Sequence, residues 1–164
     1  MRASLLLLAV LAACATPRPE GMRPEAVMAG FREASPHVAE LLDEVAGVAV
    51  FAGVEGVREG CPHDGILYLA DGSSQPVVLR CLEEPRAPGG YSYHQLVLLR
   101  TSEQVEGLLE GPLALDGFVR LAPHDDHEPT AGEDGPGYVV STHRSQLLFG
   151  DQTVRQQLEA GPPR

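Results

Sequence analysis

Five consecutive residues, His124-Asp125-Asp126-His127-Glu128, are the densest set of groups in this chain that could do chemistry. Imidazole nitrogens and carboxylate oxygens bind zinc, nickel or copper, and a metal held there would make a metal-dependent hydrolase. Five adjacent side chains do not all turn toward one ion, and the surrounding segment 123–137 is rich in glycine, proline and acid. A solvated acidic loop is therefore the expectation, with no metal and no cofactor. Cys61, His63 and Cys81 form a second grouping, which admits three readings: a Cys61–Cys81 disulfide, two buried thiols, or a metal site. A disulfide closing about twenty residues would contribute roughly 3 kcal/mol in the chain-entropy model. The other histidines, His37, His94 and His143, are scattered. No G-x-S-x-G elbow, H-E-x-x-H pair, EF-hand loop or dinucleotide fingerprint is written in the chain. All twelve basic residues are arginines, so Schiff-base chemistry and a P-loop are excluded. The chain is expected not to be an enzyme.

The third cysteine, Cys14, has a clearer chemistry. Arg2 gives a positive start, Ser4 to Ala13 (SLLLLAVLAA) is a short apolar run, and Leu11-Ala12-Ala13-Cys14 follows. Such a run is too short to span a bilayer and suits an export signal. Its ending resembles the bacterial lipobox, in which small residues admit the signal peptidase and the cysteine sulfur receives a diacylglycerol. Residues 1–13 are thus expected to be a lipoprotein signal peptide and Cys14 the site of lipid attachment. Acyl chains at about 0.8 kcal/mol per buried methylene would hold the product to a membrane. Export to an oxidising compartment would leave Cys61 and Cys81 as an even pair, which favours the disulfide. Ala15 rather than Asp after the cysteine points, in a two-membrane bacterium, to the outer membrane facing the periplasm.

Cleavage would leave 151 of 164 residues, one domain's worth. Hydrophobic residues make up 43% of the chain, enough for a folded core. Loss of Arg2 would take the formal charge from -11 to -12. A body this acidic is repelled by nucleic-acid backbones and by anionic lipid surfaces as a whole, so no nucleic-acid partner is expected. Membrane contact would come from the acyl chains, from apolar surface or from a local arginine.

The elements that must position these groups begin after a proline-rich linker, residues 14–24. Helical spacing starts near Glu25 with Val27, Met28 and Phe31, and Ser35-Pro36 breaks it and caps a second helix over 36–45. Val38, Leu41, Leu42 and Val45 form its apolar stripe. Gly47 to Val54 reads as a strand buried on both faces, and 55–64 as a loop. Residues 65–70 and 75–82 read as a hairpin around Asp71-Gly72, and 91–99 as a further strand. Thr101 or Ser102 caps a helix with an apolar stripe of Val105, Leu108 and Leu109, stopped by Gly111-Pro112. Strand pieces are expected at 116–122, 138–141 and 147–149, and 156–164 as a flexible tail. The fold class is α+β: one domain over 25–155, mostly an antiparallel sheet, with an N-terminal helical segment and one further helix on one face.

The order of these segments resembles the bacterial SYLF (Ysc84-like) lipid-binding domain across about residues 26–150. The family's helix leads into an A-x-G-[IV]-A-[IV]-F strand, here Leu42 to Phe51 with Ala46-Gly47-Val48-Ala49-Val50-Phe51. Its D-G-x-W-S-x-P turn corresponds to Asp71-Gly72-Ser73-Ser74-Gln75-Pro76, without the tryptophan. Its apolar strand and T-x-x-A-x-x-x-L-L helix correspond to Leu96 to Leu99 and Thr101 to Leu109. Its closing Y-S-x-S-x-G-L-F-A-G corresponds to Ser141 to Gly150, without the glycine beside Leu148. The resemblance implies a non-catalytic envelope protein that binds phospholipid or lies against a membrane, with His143 and Arg144 as candidate lipid-binding residues. Arg144 would pair with a lipid phosphate. An arginine on an exposed strand edge is the structural alternative. A lipoprotein that binds a protein partner through a strand or the acidic loop, with no lipid ligand, is the alternative function.

Overall fold

The computed structural model describes residues 22–55, 62–82, 92–121, 135–142 and 155–162. Helix α1 runs Pro24–Ala34 and α2 Pro36–Glu44, each with proline in its first turn, where the missing N–H costs nothing. Between them Ser35 ends one helix and starts the next, its hydroxyl accepting the Val38 N–H at 3.3 Å. Arg32 reaches back to Asp43 at 2.8 Å and ties the two helices together at the surface.

Strands β1 Gly47–Glu55, β2 Pro62–Leu69, β3 Ser74–Cys81 and β4 Ser92–Leu99 precede helix α3, Ser102–Glu110. Strands β5 Leu113–Ala114, β6 Val119–Leu121, β7 Gly137–Ser141 and β8 Gln156–Ala160 follow. Together they make one sheet in the order β5-β8-β3-β2-β1-β4-β7-β6, antiparallel except for β6 beside β7. The class is α+β, as the sequence implied.

The sheet is curled, and two distances require it. Gln95 on β4 and Gln156 on β8 exchange amide hydrogen bonds at 3.2 Å, although three strands lie between them. In a flat sheet four spacings of ~4.8 Å would hold them ~19 Å apart. The two edge strands β5 and β6 are joined by residues 115–118 alone, a chain that reaches at most ~19 Å. A turn at Leu115–Phe118 with Gly117 at φ +84° makes that passage tight.

The two faces carry separate cores. On the concave face Phe51, Leu67, Leu79, Leu99 and Leu158 pack with Val105 and Leu108 of α3. On the convex face Val27, Phe31, Val38, Leu41 and Leu42 of the first two helices cover Val48, Val50, Leu96, Leu98 and Val140. Gly65 is needed where Phe51 crosses the concave face, because a Cβ there would meet the Phe51 ring and lie 2.7 Å from the Val50 carbonyl.

Several expectations need correction. The helices do not share a face: α3 lies on the concave side, opposite α1 and α2, because its stripe is Val105 and Leu108 while Leu109 is 49% exposed. The segment 156–164 is no tail. Its residues 156–160 form β8 between β3 and β5, with Leu158 fully buried. The domain therefore extends past 155. Strand β2 starts at Pro62, inside the expected 55–64 loop, and 116–117 are turn rather than strand. The strand piece expected at 147–149 lies outside the described residues.

Candidate functional site

An open cleft of about 410 Å³ lies where α2 ends, α3 begins and β7 begins. Leu41, Val45 and Tyr138 give it apolar wall, and among the described residues Arg100 is its only basic residue and Glu44 its only acidic one.

Each polar group there is fixed by local sequence. The spacing Thr101-x-x-Gln104 makes a reciprocal cap at the start of α3: Thr101 Oγ accepts the Gln104 N–H at 3.4 Å, and Gln104 Oε1 accepts the Thr101 N–H at 3.2 Å. The same Oε1 accepts the Arg100 N–H at 2.7 Å. Gln104 Nε2 donates in turn to the Pro136 carbonyl, which clamps the start of β7 onto α3. Arg100 adds a second clamp, Nη1 to the Gly135 carbonyl at 3.2 Å, and its guanidinium stands 5.9 Å from the Tyr138 ring centroid. Gly135 passes so close to the β5–β6 turn that a Cβ would lie 2.7 Å from Val119 Cγ2. Glu103, beside the cap, has its carboxyl held below the usual range by its own backbone N–H and the Thr101 hydroxyl.

The cap already uses much of the hydrogen-bonding capacity at the α3 N-terminus. The positive group the cleft offers is therefore the exposed Arg100 guanidinium, whose planar fork has five N–H donors, beside apolar wall. An amphiphile with a phosphate or carboxylate head suits that combination.

A second polar cluster lies in the curled interior, at the far end from α3. Gln95, Gln156 and Ser141 are buried there, and Gln156 Nε2 donates to Cys81 Sγ at 3.6 Å. Arg120 on β6 is largely buried, which lowers its pKa, opposed by Tyr93, Asp116 and Cys81 nearby. On the convex face at the same end the Gly53 N–H donates to His94 Nδ1 at 3.1 Å. There β1 bulges between Phe51 and Val54, with Gly53 at φ +74°.

Of the residues singled out by sequence, Cys14, Cys61, His143, Arg144 and the cluster His124 to Glu128 lie outside the described residues. Cys81 is buried at the end of β3, one residue beyond Arg80, which faces Pro62. Its expected partner Cys61 is not among the described residues. Among the described residues no three His, Cys, Asp or Glu side chains gather as a metal site. Also among them, no helix is long and apolar enough to cross a membrane. Sequence reasoning passed over Arg100, Gln104 and Tyr138. The Thr101-x-x-Gln104 capping signature was legible, but its link to Gly135 and Pro136 depends on contacts more than thirty residues apart. No family model matches the chain, and no curated protein matches it either.

Proposed function

We propose that this chain is a bacterial envelope lipoprotein, anchored through acyl chains on Cys14, whose body is a non-catalytic lipid-binding domain. The carrying observation is the cleft that sets Leu41, Val45 and Tyr138 beside the exposed guanidinium of Arg100. Apolar wall with one cation at its mouth is what a phospholipid head and upper chain require. The SYLF-like order of segments points to the same class. The lipobox-like Leu11-Ala12-Ala13-Cys14 supports the anchor and an outer-membrane address facing the periplasm.

The test is flotation of the chain beginning at Ala15, which lacks the anchoring thiol, with phospholipid vesicles at millimolar lipid. Mass spectrometry of lipid copurifying with the same protein accompanies it. Flotation, or a stoichiometric phospholipid, is expected. Absence of both, with a protein partner recovered instead, would overturn the lipid reading in favour of a partner-binding lipoprotein.

A further inference from the structure

The chain leaves toward Cys14 from the end of the body that bears the cleft. Helix α1 starts at Pro24, and the Glu25 carboxylate accepts the Tyr68 hydroxyl at 2.6 Å. Tyr68 faces Val48 at the start of β1. Val45 of the cleft lies two residues before Gly47, and Arg100 directly follows Leu99, which faces Gly47 on the other side. The α1 N-terminus and the cleft therefore flank one end of the sheet. Pro24 lies ten positions after Cys14, a tether of at most ~36 Å when fully extended.

We propose that this end rests on the membrane that holds the acyl chains. A phospholipid of that membrane then places its phosphate against Arg100, with Leu41, Val45 and Tyr138 toward its glycerol and upper chain. The inference rests on the anchored, lipid-binding reading and adds to it an orientation and the membrane of the acyl chains as the source of the lipid. Charge agrees with it. The body is acidic as a whole, but among the described residues Arg100 is the cleft's one cation, and its Nη1 is the nitrogen that bonds Gly135. Glu44 is the opposing charge at the rim and weakens the attraction.

The experiment uses the full acylated protein, reconstituted in vesicles of phosphatidylethanolamine and phosphatidylglycerol, released in mild detergent and weighed by native mass spectrometry. One spectrum reads both the covalent acyl mass on Cys14 and any phospholipid held without a covalent bond. One bound phospholipid is expected, with occupancy falling about tenfold in Arg100→Gln, rising in Glu44→Gln and unchanged in Arg155→Gln. Thermal melting checks each variant's fold, and should Arg100→Gln melt early, Glu44→Gln decides. Equal occupancy in all variants overturns the docking end alone, whereas acylated chain with no phospholipid overturns the lipid-binding reading of the cleft with it. A spectrum with no acyl mass on Cys14 overturns the anchored reading itself.

Discussion

Gln95 and Gln156 meet inside the curled sheet, below a core of leucine, valine and phenylalanine, and their two amides exchange hydrogen bonds with each other. Removing one partner leaves the other buried without its bond, which costs more than the bond contributes. Gln95→Leu is expected to lower stability by about 1–3 kcal/mol, read from urea midpoints. Adding Gln156→Leu to it should cost less than the two single changes summed. At His94 the matter is protonation. Nδ1 must stay unprotonated to accept the Gly53 N–H, and burial lowers this imidazole below its ordinary value. The unfolded chain then takes up a proton first as pH falls. The stabilisation is complete above the unfolded value near 6.5 and is lost as pH drops through the lower folded value. His94→Asn, whose carbonyl can take the same N–H, should show a shallower loss of stability from pH 8 to pH 5 than the natural chain. Equal slopes would remove His94 from the account.

At the scale of elements, those with local capping or turn chemistry, or with a dense apolar run such as β1 and β4, were legible, and those with neither were not. Ser35-Pro36, Asp71-Gly72 and Thr101-x-x-Gln104 each punctuate the chain through bonds within four residues, and the structure places a helix start or a turn at all three. Strand β8 is the contrary case. Gln156-Gln157-Leu158-Glu159-Ala160 holds little apolar surface and sits near the chain's end. What makes it a strand is the pair of ladders it shares with β3 and β5, and nothing within the segment announces either. The cleft failed to show for the same reason, since its wall joins α2, α3 and the start of β7. A stop after Arg155 tests the assignment. A frayed tail would be dispensable, whereas loss of β8 uncovers Val77 and Leu79, both buried in the concave core, and removes Leu158 from it. The truncated chain is expected to lose cooperative thermal unfolding by circular dichroism. A sharp melt close to that of the whole chain would return the segment to the status of a tail.

For the molecule as a whole the governing opposition is between an acidic body and the surface it is proposed to occupy. A formal charge of -11, or -12 if the proposed leader is removed, repels anionic lipid, but salt screens that repulsion beyond about 8 Å at physiological strength. With only the cleft end resting on the membrane, as proposed, most of the body would stand outside that layer. One headgroup in one open cleft does not hold a whole protein to a membrane through dilution and washing. Acyl chains contribute about 0.8 kcal/mol for every buried methylene and act whatever the charge of the body. Retention should therefore depend on Cys14 and be indifferent to salt. When cells are fractionated, the natural chain is expected in the membrane pellet and to stay there through a high-salt wash. The same chain exported behind an ordinary Ala-x-Ala leader, so that it begins at Ala15, meets vesicles only while lipid is in millimolar excess and should be washed into the soluble fraction of the envelope. If that second form stayed in the pellet, the body itself would be holding the membrane, and the acyl anchor would lose its central place.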